Sequence, residues 1–130
     1  MNLLLDTHVF LWLISGDPRI APSHLQAIRD PENALFLSPV SLWECLVKHH
    51  LGKLSLPEPP ETILPQLREQ HRIIPLPLTE NAVRLLPTLP PVHRDPFDRM
   101  LICQALEHAY TIVTVDSVFS NYPVTLLPTE

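Results

Sequence analysis

The chain reads as an α/β protein, an α/β/α sandwich around a five-stranded, mostly parallel sheet, and two observations predict it. Apolar runs of four or five residues alternate along the sequence with longer segments of helical period. The runs are continuous rather than alternating in polarity, as expected of strands buried on both faces beneath helices. With 130 residues, 45% of them hydrophobic, the chain suffices for one domain, residues 1–130, with a real core. Two glycines against sixteen dispersed prolines predict firm stops between elements rather than flexible linkers or low-complexity tracts.

Each element is justified by local signals. Asn2–Leu5 form the first apolar run, and residues 7–14 a helix closed by Ser15-Gly16-Asp17-Pro18. Pro22-Ser23 opens a short helix to about Arg29, and Ala34–Leu37 make the second run. Ser38-Pro39 is a helix start, leading into a strong helix over residues 40–50 with Gly52 as its stop. A proline-rich connection, residues 54–60, precedes a helix over residues 61–70 and a third run over residues 72–76. Thr79 caps a short helix reaching Leu86, and residues 87–91 turn the chain. In the next helix Asp95 is the N-cap, Pro96 takes the first helical position, Asp98 stands at N3, and the end falls near His108. Residues 111–115 and 124–127 are the last two strand-like runs, rich in β-branched residues.

The helix that Asp95 starts raises a question of its own. Leu101, Ile102, Ala105 and Ala109 come after Asp98 on one helical face, so Asp98 heads the stripe that packs inward. A buried carboxylate is costly without a partner or a metal. Right-handed crossovers put every strand C-terminus and helix N-terminus along one edge of a parallel sheet, where chemistry is usually found. Asp6 and Asp116 directly succeed strands, Glu44 lies within two turns of a helix start, and Asp98 is in a first turn. All four acids therefore fall on that edge.

Each has a structural alternative. Asp6 and Asp116 can cap the helix or turn next in the chain, Glu44 completes a Ser41-x-x-Glu44 capping box or pairs with Lys48 four residues on, and Asp98 fits N3. Together, four converging carboxylates repel one another in a partly dehydrated site and call for something positive among them. Lys48, Arg94 and Arg99 read as peripheral. Oxygen-only ligands select hard cations, Mg²⁺ or Mn²⁺, the usual engine of phosphodiester hydrolysis. The net charge of −5 disfavours a nucleic-acid partner unless bound divalent ions neutralise such a cluster.

Other features exclude function classes or weigh less. The apolar N-terminus lacks a basic n-region and a cleavage site, Asp6 interrupts it, and no apolar run approaches the ~18 residues of a membrane span. A soluble, cytoplasmic protein without a membrane partner is expected. Cys45 and Cys103 lie in apolar helical patterns and read as buried free thiols. His49-His50 are adjacent on a helix and point about 100° apart, too divergent to chelate one ion. His8 and His93 lie nearer the acids, with His93 within reach of substrate. Trp12 and Trp43 read as core or a dimer face rather than a base-stacking platform. A phosphoacceptor receiver domain also carries acids on such an edge, but it needs an acid pair after strand one and a lysine after strand five, both missing here.

The residues that carry the acids also resemble a known family. Leu4-Leu5-Asp6-Thr7-His8 resembles the opening of PIN-domain proteins, and Trp43-Glu44 with Lys48 and Gly52-Lys53-Leu54 resembles a subgroup of VapC-like toxins. His93-Arg94-Asp95-Pro96-Phe97-Asp98-Arg99-Met100-Leu101, then Thr114-Val115-Asp116, Phe119 and Tyr122, continue the likeness to the end. The resemblance implies a PIN fold and a metal-dependent ribonuclease, the toxin of a type II toxin–antitoxin pair, often a homodimer, silenced by a small antitoxin. It also implies that Asp6, Glu44, Asp98 and Asp116 are the catalytic, Mg²⁺- or Mn²⁺-holding acids acting on RNA. By the same resemblance Thr7 and Thr114 orient an acid or a water, Asp95 is a helix cap or a further ligand, and Arg94 and Arg99 are phosphate contacts or surface charge. A non-catalytic PIN-like module that binds RNA or protein is the alternative.

Overall fold

β1 (Asn2–Leu5) is the middle strand of the sheet because its leucines can be buried on both sides: Leu3, Leu4 and Leu5 are all fully buried. A computed structural model describes residues 1–92 and 95–130, leaving the readings placed on His93 and Arg94 outside the described residues. The other strands are β2 (Ala34–Leu37), β3 (Ile73–Pro75), β4 (Thr111–Val113) and β5 (Thr125–Leu126). They join in the order β3-β2-β1-β4-β5, and every pairing is parallel. Leu4 stands at the crossing of the registers, opposite Phe36 on one side and Ile112 on the other.

The helices are α1 (Thr7–Ser15), α2 (Pro22–Arg29), α3 (Pro39–His50), α4 (Pro60–Gln70), α5 (Glu80–Arg84) and α6 (Pro96–His108). The period-2 alternation of β1 sorts them into two layers. Leu3 and Leu5 face a core shared with Val9 and Phe10 of α1, Ile28 of α2, Cys45 of α3 and Leu64 of α4. Leu4 faces the opposite core, with Ala82 of α5 and Ile102, Cys103 and Ala105 of α6. The expected sandwich is therefore the observed one. Among the described residues no helix is long and apolar enough to cross a membrane.

The local signals operate as read at most boundaries. Gly16 ends α1 at φ 66°, a left-handed conformation that glycine adopts without steric cost, and the amide of Asp17 returns to the Trp12 carbonyl. Ser38 accepts from the amide of Val40 and starts α3, so Ser41 lies inside the helix and the Ser41-x-x-Glu44 capping box is not formed. Asp95 caps α6 through the amides of Phe97 and Asp98, with Pro96 at the first position. The turn over residues 87–91 begins inside a 3₁₀ segment, Leu86–Thr88, and a second 3₁₀ segment spans Ser117–Asn121.

Two expectations about α6 and β4 need correction. The inward stripe does not reach Ala109, which leaves the helix at φ 56° and is exposed. Burial instead runs without a break from Leu101 to Ala105, because α6 is wedged between the sheet and neighbouring helices. Gln104 is sealed within it and donates to the carbonyl of Leu76 at 3.0 Å. β4 stops at Val113 rather than 115, where its pairing with β1 ends opposite Leu5, and Val115 is exposed.

Candidate active site

The end of β1 is pinned where the amide of Asp6 donates to the carbonyl of Val113 on β4, at 3.0 Å. This places the Asp6 carboxylate under the first turn of α1. One oxygen accepts from the amide of Thr7 at 2.7 Å, the other from the Thr114 hydroxyl at 2.8 Å. Only 5% of Asp6 is exposed. Burial pushes its carboxyl above the usual range, and the Thr114 and Thr7 hydrogen bonds work against that shift. Nearby His8 also lowers it, whereas the charge of Glu44 raises it further.

Glu44 reaches the same place from α3 and is 2% exposed. Its Oε1 lies 2.8 Å from the Thr7 hydroxyl, which is also 2.9 Å from that of Ser41. A hydroxyl has one proton, and the carboxylate is the stronger acceptor, so Thr7 donates to Glu44 and accepts from Ser41. The other oxygen, Oε2, accepts from the Lys48 ammonium in an ion pair one turn along the helix. Lys48 is held above its ordinary pKa: burial opposes this, but the Glu44 hydrogen bond and the fields of Glu44, Asp95 and Asp98 outweigh it.

Lys48 is thus not peripheral, contrary to the expectation from its sequence position. It links the Glu44 end of the site to Asp95 and Asp98 at the start of α6. Asp98 itself is 8% exposed, and its amide is 3.4 Å from the carboxylate of Asp95. Asp116 stands at the opposite end. Its amide donates to the Thr114 hydroxyl at 3.0 Å, while its exposed carboxylate accepts from the amide of Val118 at 3.0 Å and caps the 3₁₀ segment. Contacts therefore run in file from Asp116 through Thr114 to Asp6, through Thr7 to Glu44 and on to Lys48, in whose field Asp98 lies. Asp6 and Glu44 are brought close enough to feel each other's charge; Asp98 joins through Lys48, and Asp116 through Thr114.

Among the described residues no three His, Cys, Asp or Glu side chains stand in metal-holding geometry. The donor chemistry nevertheless fits a hard cation: two buried carboxylates that raise each other's energy, with oxygen donors on both flanks. The structural alternatives for these acids are realised as well, since Asp6 and Asp116 cap and Glu44 pairs with Lys48. Capping engages one oxygen of each aspartate and does not exclude the second role. The small hydroxyls do orient acids: Thr114 holds Asp6 and Thr7 holds Glu44.

Sequence reasoning gives Ser41 only a capping role and misses its contact with Thr7. The serine is buried three residues before Glu44 on the same face of α3, and that spacing is the available signal. Arg99 is half-buried and donates to the Pro90 carbonyl at 2.9 Å and the Tyr122 hydroxyl at 3.3 Å, so it is not simple surface charge. Trp43 is not core: it is 59% exposed and meets Phe97 edge-on, with ring centroids 4.8 Å apart. Trp12 is half-buried, with the Arg19 guanidinium over its ring. Cys45 and Cys103 are buried free thiols, and burial beside Glu44 pushes the Cys45 thiol up to about 12, leaving it inert as a nucleophile.

The PIN domain family model matches residues 3–124. Ribonuclease VapC22 of Mycobacterium tuberculosis is 29% identical over 117 residues, covering 88% of this chain and 87% of that protein. Among solved structures, VapBC2 from Rickettsia felis bound to a DNA fragment from its promoter superposes with a TM-score of 0.73 at 17% identity, covering 98% of each chain. VapBC-1 from nontypeable Haemophilus influenzae superposes at a TM-score of 0.67 and 17% identity, over 99% of this chain and 98% of that one. These structural likenesses concern the fold.

Proposed function

The chain belongs to the PIN-domain family, and from that premise we propose that it is a metal-dependent endoribonuclease, the toxin of a type II toxin–antitoxin pair. Asp6, Glu44, Asp98 and Asp116 are its metal-holding and catalytic acids, and Mg²⁺ or Mn²⁺ is the ion. The reading draws on a relative named as a ribonuclease and on structural neighbours described as VapBC complexes. One observation carries the site assignment: two nearly buried carboxylates from distant parts of the chain, Asp6 and Glu44, are gathered around Thr7, close enough that the charge of Glu44 raises the Asp6 carboxyl further.

When bound there, a divalent ion supplies an activated water for attack on phosphorus and neutralises charge on the phosphate. The chain's own residues do the rest by fixing oxygen atoms. Thr114 and the amide of Thr7 hold Asp6 in one rotamer, and the hydroxyl of Thr7 holds Glu44. Asp98 is fixed by the first turn of α6, whose start Asp95 sets. Asp116 faces water at the open end, where an RNA strand can approach. The products expected are a 3′-hydroxyl and a 5′-phosphate. The protein works in the cytoplasm, with a small antitoxin protein and a second copy of itself as partners.

The test is cleavage of several RNAs with Mn²⁺ after the antitoxin has been removed. Asp6→Asn and Asp98→Asn should each abolish cleavage while circular dichroism and thermal unfolding report an intact fold. Cleavage retained in both variants would overturn the proposal. A folded wild-type chain that binds RNA but cuts none of it would make the non-catalytic binding module the correct reading.

A further inference from the structure

We propose that Lys48 is a built-in counter-cation of Glu44, a positioning residue that a divalent ion must displace from it. The inference rests on the metal-site reading and adds what that reading leaves open, namely what faces Glu44 when no ion is bound.

Three observations carry it. Both oxygens of Glu44 are committed, Oε1 to the Thr7 hydroxyl and Oε2 to the Lys48 ammonium. A cation that takes Glu44 as ligand through Oε2 therefore meets the like charge of Lys48 on the same oxygen. Next, the pair is unequal in freedom: the Glu44 side chain is 3% exposed and that of Lys48 33%. Lys48 is the member able to move, and a cavity of about 250 Å³ beside it, lined also by Thr7, Glu44 and Lys53, gives its side chain room. Finally, the ammonium lies in the fields of Asp95 and Asp98 as well as Glu44, so its charge acts on the start of α6 as well as on α3. Arg99, on the neighbouring helix, is turned instead to the Pro90 carbonyl and Tyr122.

Displacement has a consequence for substrate. The α3 backbone tethers Lys48, so an ammonium released from Glu44 stays at the mouth of the site, where a phosphate oxygen of RNA is a partner of matching charge. The residue thus guards the acids without the ion and is free to meet the substrate with it. Neither role needs the lysine to change its protonation.

The experiment is calorimetric titration of the full chain, freed of antitoxin, with Mn²⁺ alone and no RNA, alongside thermal unfolding in EDTA and in Mn²⁺. Removing the competing charge in Lys48→Met should tighten Mn²⁺ binding roughly 10-fold, by the Coulomb repulsion relieved at a partly buried site. The same variant should unfold at a lower temperature than wild type in EDTA and gain more from Mn²⁺. Lys48→Arg keeps the cation and should bind as wild type does. Lys53→Met removes an equal charge from the same cavity without a Glu44 contact and should leave affinity within about twofold. Lys48→Gln takes the place of the methionine variant if that one does not fold. Wild-type Mn²⁺ binding that is unchanged or weakened in Lys48→Met overturns this inference alone. No Mn²⁺ binding in any variant overturns the metal-site reading and this inference with it.

Discussion

Asp6 and Glu44 are equally deep, 5% and 2% exposed, and share Thr7, yet they are satisfied in different ways. Among the described residues Asp6 accepts from neutral donors only, an amide and a hydroxyl. Glu44 has one hydroxyl and a full positive charge. Neutral donors fix a carboxylate's position but leave its charge uncompensated, and burial accordingly pushes the Asp6 carboxyl up. An ion pair compensates the charge but occupies the oxygen. Among the described residues Asp6 is thus the acid without an ion-pair partner, and Glu44 is the one that already has a cation on it. A single site carries both the demand for a metal and the means of tolerating its absence.

The largest effect that separates the two ends comes from neutralising each acid in turn. Asp6→Asn and Glu44→Gln should both lower RNA cleavage by about 100-fold or more, since even residues that only support metal ligands cost up to that much. Metal-free stability should move in opposite directions. In EDTA at neutral pH, Asp6→Asn should unfold at a higher temperature than wild type, because the desolvation of a buried charge is relieved while asparagine still caps α1. Glu44→Gln should lose about 1–2 kcal/mol, because Lys48 keeps its charge and loses its partner, discounted because that lysine is partly solvated. Equal shifts in the same direction would erase the distinction between the two ends.

The pH dependence sharpens it. The folded pKa of Asp6 lies above the ordinary 3.8, so in the window between the two values the native state holds more protons than the unfolded one. Stability of the metal-free wild type should therefore fall as pH rises through that window, and the cost is fully present above it. Asp6→Asn lacks this titration. Its advantage over wild type should vanish below 3.8 and open as pH rises, which thermal unfolding across an acid series in EDTA would read. An advantage that is constant with pH would point to improved capping instead.

Much of this is legible in the sequence, for a physical reason. In β1, Leu3, Leu4 and Leu5 report a strand buried on both faces whatever packs on them, and Ser38, Asp95 and Gly16 mark helix ends through their own backbone chemistry. Strand ends then fix which acids share an edge. What escapes depends on side-chain direction across elements. Glu44 and Lys48 at i,i+4 look the same whether the pair faces water or the start of α6, and only packing of α3 against α6 decides. Trp43 escapes for the same reason: helical period names a face but not whether a neighbour covers it.

Thr114→Val tests the neutral end more gently. The change keeps the shape, removes the hydroxyl that donates to Asp6 and accepts from the amide of Asp116, and should cost about 1.5–3 kcal/mol, as for hydrogen bonds to charged groups. Thermal or urea unfolding measures it, and Thr114→Ser should recover most of the loss. A cost near zero would mean that water replaces the hydroxyl and that the Asp6 end is less dry than its burial states.

The smallest effects discriminate within Thr7 itself. If its single hydroxyl proton goes to Glu44, then Thr7→Val removes a bond to a carboxylate, whereas Ser41→Ala removes only a neutral bond into the Thr7 oxygen. The expected costs are about 1.5 kcal/mol and about 0.5–1 kcal/mol respectively, with Thr7→Ser close to wild type. Should Ser41→Ala instead cost as much as Thr7→Val, the proton would have to run from Thr7 to Ser41. Glu44 would then rest on Lys48 alone, and the contrast between an acid held by neutral donors and one held partly by charge would become complete rather than partial. The double variant measures the coupling directly, since the two residues touch and their effects should not add.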